Sequence, residues 1–258
     1  MNVIDQYAYM SRLNPLSPFL KCLTAAAAMA ACLGFNRWLL SLFIIVSMGC
    51  MTVLLGGVPW KIYIRLLLAP AVFLLLAVLP IVIDVTKTSA NLLSVPFFSR
   101  YISLSRQSVY MGAALAAKAM GCVSCLYFLS LSTPVFEIVQ VLERLRCPRL
   151  LTELMLLVYR FIMIMMDTCR SMSTAADARL GYMTRKTWMK TTAMIAGSLF
   201  LKSYKKSSAM YDAMEARCYD GRLEFLNEPK SVTAAHAAAA AGYTALLICI
   251  GAVLMVRG

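Results

Sequence analysis

The chain has 258 residues, 61% of them hydrophobic and 14% charged, with a formal net charge of +13 and a mean hydropathy of +0.74. A soluble domain carries about 25% charged residues, so this composition excludes an ordinary soluble enzyme. The basic residues alternate with apolar runs and form no continuous basic face, which excludes nucleic-acid binding despite the charge.

Taken in chain order, Asn2 to Pro18 is polar, holds Asp5 and Arg12, and reads as an amphipathic leading segment and not as a cleaved signal. Five apolar segments then approach the ~20 residues that a helix needs to cross a bilayer. They run from about Leu20 to Phe35, Trp38 to Leu55, Leu66 to Val85, Tyr110 to Leu131 and Thr233 to Val256. Only Asn36-Arg37 separates the first two, which predicts a helical hairpin, and Gly56-Gly57-Val58-Pro59 ends the second. Cys22, Cys32, Cys50, Cys122, Cys125 and Cys249 fall inside these runs, where a thiol acts as a small hydrophobe. Cys122-Val123-Ser124-Cys125 has a redox spacing but lacks the neighbouring βαβ pattern that such motifs accompany. The connection from Thr86 to Ser108, with Pro96, Phe97, Phe98 and Tyr101, reads either as a segment folded on the membrane surface or as a plain loop.

Residues 132–231 differ in character, holding 15 of the 25 Lys and Arg and 10 of the 12 Asp and Glu. Apolar residues recur there at helical spacing. Val135, Ile138, Val139, Leu142 and Leu145 predict one face of a short helix, with Glu137, Gln140 and Glu143 off that face. Pro134 suits its first turn and Pro148 marks a boundary after it. Longer helical patterns run from about Leu150 to Leu180, with Gly181 as the expected left-handed terminator, and from about Thr191 to Arg217. The expected fold class is therefore an all-α integral membrane protein of about five transmembrane helices. Its parts are a four-helix membrane region over 1–131, a cytoplasmic helical module over 132–231 and a last transmembrane helix over 232–258. With that module inside, 19 basic residues fall on the cytoplasmic side and 5 outside, which predicts N-terminus in, C-terminus out and a place in the cytoplasmic membrane.

Several chemistries lack their residues. No G-x-x-x-x-G-K-[ST] cradle exists for ATP phosphates, and the lone His236 at the start of the last span is not a metal site. The one acidic residue of the spans is Asp84, near the outer end of the third, and Lys118 in the fourth is an intramembrane charge with no sequence-adjacent partner, which predicts an interior pair between them. Neither an enzyme nor a self-sufficient carrier finds its groups here.

The informative feature is a short repeat. Asp177-Ala178-Arg179-Leu180-Gly181-Tyr182 recurs as Glu215-Ala216-Arg217-Cys218-Tyr219, each copy at the end of a long helical pattern. Arginine at one helix end is ordinary dipole compensation, whereas two copies in one charged module suggest a paired docking device.

With these motifs the chain resembles the transmembrane (T) component of energy-coupling-factor transporters, in its cobalt-type branch, the CbiQ family. The resemblance covers nearly the whole chain. It rests on Ile4-Asp5-Gln6-Tyr7-Ala8-Tyr9, Ser11, Leu13, Pro18 and Lys21; on Leu131-Ser132-Thr133-Pro134, Pro148-Arg149-Leu150-Leu151 and Tyr159-Arg160-Phe161; and on the two Ala-Arg-x motifs with Ser203-Tyr204-Lys205-Lys206. It implies a non-catalytic scaffold that binds two cytoplasmic ATPase subunits through Ala178-Arg179-Leu180 and Ala216-Arg217-Cys218, flanked by Asp177, Gly181 and Glu215. It also implies a separate substrate-capture membrane subunit, often with a small accessory membrane subunit, and no cofactor or metal bound by this chain. The family usually has Gly where this chain has Cys218, which keeps the docking role but leaves the local backbone geometry open, because Gly allows turns that Cys resists. The implied cargo is cobalt, with a nickel or vitamin importer or a stand-alone secondary carrier as alternatives.

Overall fold

The computed structural model describes residues 3–11, 13, 16–35, 38–86, 94–97, 100–104, 106–220 and 234–256. It is an all-α membrane protein with one small sheet. The helices are α1 (Val3–Met10), α2 (Pro18–Gly34), α3 (Trp38–Cys50), α4 (Trp60–Val82), α5 (Arg106–Ser132), α6 (Val135–Arg144), α7 (Arg149–Ala178), α8 (Arg185–Glu215) and α9 (Ala234–Val256). A π-helical turn at Met51–Leu55 extends α3 to Gly56.

Among the described residues, three helical segments are long and apolar enough to cross a membrane: Trp38–Leu55, Trp60–Pro80 and Ser108–Ser132. Pro18–Gly34 and Ala240–Val253 are shorter apolar helices. The third span begins earlier than Leu66, at Trp60. Pro59 starts it, accepting at its carbonyl the N–H groups of Ile62 and Tyr63 at 2.9 and 3.2 Å. It also ends earlier, so Asp84 lies beyond the helix.

The described part of the connection after α4 is strand and not plain loop. It holds an antiparallel sheet of β1 (Ile83–Thr86), β2 (Ser94–Phe97) and β3 (Arg100–Leu104), in the order β1-β3-β2. Asp84 pairs with Ser103 across β1 and β3, and Pro96 opposes Tyr101 across β2 and β3. Proline cannot donate to a ladder, and β2 is an edge strand, where that deficit is tolerated.

Two compact units divide the chain. The first joins Asn2–Ile138 to Lys230–Gly258. Its centre is α5, on which α1, α2, α3 and α4 all pack, while α9 packs on α2. Ala25, Ala28, Ala31 and Cys32 of α2 are buried with Leu40, Ile44 and Met48 of α3, Cys125 and Phe128 of α5, and Leu247 of α9. Small residues on α2 let the backbones approach, since helices in lipid associate by close packing. Gly121 of α5 shows how close: a Cβ there would stand 2.8 Å from the Cys32 sulfur. The hairpin helices α2 and α3 touch where Cys32 Sγ lies 3.7 Å from Ser41 Oγ. Hydroxyls tie other helices together, Tyr63 to Ser124 at 3.0 Å and Ser47 to Tyr243 at 2.8 Å. All nine cysteines are free.

The second unit is Val139–Pro229, built on α7 packed against α8. Helix α8 begins at Arg185, six residues before the expected start at Thr191. Thr184 precedes it and its N–H donates to Thr187 Oγ1 at 2.9 Å, satisfying a donor that would otherwise be orphaned at a helix start.

Candidate functional site

The repeated motifs occupy the ends of α7 and α8, and the backbone closes both ends in the same way. At the first, Leu180 N–H donates to Asp177 O at 2.9 Å and Gly181 N–H to Ala176 O at 2.9 Å. At the second, Cys218 N–H donates to Glu215 O at 3.0 Å and Tyr219 N–H to Met214 O at 3.1 Å. This crossed pair of bonds satisfies last-turn carbonyls by sending one residue into left-handed backbone. Those residues are Leu180, at φ 57°, and Cys218, at φ 59°.

One expectation is corrected here. Gly181 is not the left-handed residue; Leu180 before it is. Gly181 is needed for close approach instead, since a Cβ would stand 2.9 Å from both Ala176 O and Thr191 Oγ1. Thr191 Oγ1 donates to Gly181 O at 2.9 Å, so α8 braces the end of α7. The backbone at Cys218, left open by the sequence, is left-handed like that at Leu180. Cys218 accepts the left-handed conformation that Gly would take freely, at a cost of about 1–2 kcal/mol.

Arg179 and Arg217 therefore hold matching places, each one residue before the left-handed residue of its turn. Arg179 N–H donates to Ala176 O at 3.1 Å and Arg217 N–H to Met214 O at 3.0 Å. Asp177, Ala178, Arg179, Leu180, Glu215, Ala216, Arg217 and Cys218 are all exposed. Among the described residues, ion pairs join Lys21 to Glu137, Arg149 to Glu153 and Arg170 to Asp167. None joins Arg179 to Asp177 or Arg217 to Glu215, so the flanking acids do not hold the guanidinium groups. Thr191, which touches Gly181, and Glu215 are 24 residues apart on α8, about 36 Å at 1.5 Å per residue. The motifs form two separate sites.

The intramembrane pair is not brought into view. Lys118 is half-buried in α5, and its carbonyl accepts Cys32 Sγ–H at 3.5 Å. The side chain of Asp84 lies outside the described residues.

Two features escaped the sequence reading. Helix α6 ends in a third turn of the same form: Arg146 N–H donates to Glu143 O and Cys147 N–H to Leu142 O, both at 3.1 Å, with Arg146 at φ 65°. An acid three residues before the left-handed residue, as in the other two ends, is the signal that could have found it. The second is a buried ion pair. Glu137 was assigned off the apolar face of α6, yet it is 7% exposed, and Val135 and Leu145 of that face are exposed. Its carboxylate lies 3.7 Å from the ammonium of Lys21, which is 3% exposed.

Comparison with known proteins decides the family. The model of the cobalt transport protein family, CbiQ, matches residues 10–226. The chain belongs to this family. It is 26% identical to the cobalt transport protein CbiQ of Rhodobacter capsulatus, over 87% of each chain. It is 27% identical to that of Salmonella typhimurium, over 86% of this chain and 98% of the relative. A putative fused cobalt transport protein, CbiMQ, of Methanocorpusculum labreanum matches 95% of this chain at 27% identity, over 41% of its own length. This CbiQ-family chain is thus a membrane component of a transport system.

Proposed function

We propose that this chain is the coupling subunit of an ATP-driven, energy-coupling-factor-type cobalt importer. It lies in the cytoplasmic membrane and links two cytoplasmic ATPase subunits to a separate substrate-capture membrane subunit. It has no catalysis of its own, binds no cofactor, and leaves the metal ion to the capture subunit. A small accessory membrane subunit belongs to the same assembly.

The observation that carries this reading is the pair of matching helix ends. Each presents an exposed arginine on a rigid turn, free of its neighbouring acid. A separation of about 36 Å exceeds the ~30 Å diameter of a small domain, so one small partner domain cannot cover both. Two copies of one partner can, each taking one turn. A guanidinium suits the task because its planar fork binds a carboxylate bidentately and stays charged when desolvated. The fused CbiMQ relative supports a membrane partner, since a fusion holds two cooperating chains in one polypeptide.

The test is affinity purification of the tagged full chain from native membranes, followed by native mass measurement. Two ATPase copies and at least one further membrane chain are expected per copy of this protein. A chain that purifies without ATPase overturns the reading.

A further inference from the structure

Two stretches of the family resemblance remain unused by the docking turns: Lys21 with its surroundings near the start of α2, and Leu131-Ser132-Thr133-Pro134 at the end of α5. The structure brings them together. Lys21 Nζ donates to the carbonyl of Ser132, the last residue of α5, at 3.2 Å. The same ammonium lies 3.7 Å from the carboxylate of Glu137, in the first turn of α6. Only Thr133 and Pro134 separate the two helices.

The placement of the charges suits both helix ends. The last carbonyls of a helix have no intrahelical donor and carry partial negative charge, so a cation is favoured at the end of α5. An acid is favoured in the first turn of α6 for the converse reason. One buried ammonium therefore serves the helix that stops and the helix that starts. Ser132 and Thr133 are 1% exposed, and their hydroxyls lie 3.3 Å apart. Leu131 is fully buried with Val58 and Tyr63, which anchors the end of α5 against the start of α4. The joint is thus closed to water and built from α2, α5 and α6.

Helix α6 continues past Glu137 without a break to Arg144, and its residues from Val139 onward belong to the unit that carries both docking turns. We infer that Lys21 and Glu137 are positioning residues that fix the start of α6 to the membrane helices, so that ATP-driven movement of the docking unit reaches those helices instead of being lost at the Thr133-Pro134 turn. This rests on the coupling-subunit reading above.

A buried pair can often be replaced by two apolar residues without loss of stability, whereas removing one partner strands a charge. The decisive variants are therefore K21M/E137M, which removes the pair, and K21E/E137K, which reverses it. Each full-chain complex, co-expressed with its partner chains, is reconstituted in liposomes, and radiolabelled Co²⁺ uptake and ATP hydrolysis are measured together. K21M/E137M is expected to accumulate in the membrane, retain its ATPases and hydrolyse ATP, with Co²⁺ transported per ATP falling about tenfold. K21E/E137K is expected to restore most of that ratio. A wild-type transport ratio in K21M/E137M overturns the inference. So does a K21M/E137M chain absent from the membrane with no rescue by the reversed pair, which assigns the residues to folding alone. The wild-type complex run alongside separates the two levels: without bound ATPase it is the coupling-subunit reading that fails.

Discussion

Leu180 and Cys218 hold the same left-handed backbone, φ 57° and 59°, at equivalent places 38 residues apart. Neither is glycine, and each donates its N–H to the carbonyl of an acidic residue three positions earlier. Left-handed backbone costs a residue with a Cβ about 1–2 kcal/mol, and glycine returns part of that gain through its freer unfolded chain. Cys218→Gly is accordingly expected to stabilise the chain by about 0.5–1 kcal/mol while leaving ATPase binding intact. Thermal unfolding of the purified protein checks this, and a lower Tm for Cys218→Gly contradicts the turn.

Gly181 gives the opposite sign. An added methyl group would stand 2.9 Å from Ala176 O, which is backbone and cannot step aside, and 2.9 Å from Thr191 Oγ1. Gly181→Ala is expected to cost about 1–3 kcal/mol, as overpacking does, and to loosen the brace between α7 and α8. ATPase co-purification should weaken with it, through the first turn. Unchanged stability and unchanged co-purification would show that the brace has no role.

Asp177 and Glu215 make no ion pair with the motif arginines, and both are exposed. Their contribution to the turns is the main-chain carbonyl, which any residue supplies. Asp177→Ala and Glu215→Ala should therefore change stability by no more than about 0.5 kcal/mol. Titrating ATPase onto each immobilised variant would reveal a direct acidic contact as a large loss of affinity.

The legible parts of this fold were those encoded locally. The span Trp38–Leu55 matches its apolar run end to end, because length and hydropathy alone define it. Helices that begin with charged residues started earlier than their apolar pattern: α4 at Trp60 before Lys61 and Arg65, α8 at Arg185-Lys186. A proline or a threonine cap set those starts, not hydrophobicity. The repeated motifs were legible because an acid, an alanine and an arginine recur in consecutive positions. Their geometry was not, since the left-handed residues are Leu and Cys, where a sequence reader looks for Gly. The Lys21–Glu137 pair had no local signal, as its partners meet only when α2, α5 and α6 pack.

The direction of insertion is the next measurable consequence. With 19 basic residues assigned inside and 5 outside, the positive-inside bias predicts that the charged unit faces the cytoplasm. Five crossings then place residues near Lys230 inside and Gly258 outside. Reporter fusions at Lys230 and Gly258 should report opposite sides of the membrane. Both reporters on one side would remove a crossing, and the 17-residue α2 is then the first to re-examine, since it is at the short limit for a span.

Arg179 and Arg217 carry the strongest prediction. Each is exposed on a turn fixed by two backbone bonds, so a partner meets it without first ordering the chain. Charge reversal should cost more than truncation, because a glutamate would face the carboxylate that the arginine served. Losing one partner of a buried interface pair costs roughly 2–5 kcal/mol. The two sites are about 36 Å apart along α8 and share no contacts, so their losses should add. Arg179→Glu or Arg217→Glu alone is expected to leave a weakened complex that still retains ATPase through the other turn. The double variant should lose both ATPases and ATP-driven Co²⁺ uptake, while its membrane insertion stays normal, since both turns lie outside the apolar helices. Co-purification and uptake measured on the same membranes decide the matter: a double variant that keeps its ATPases and transports normally would reduce the two motifs to helix terminators.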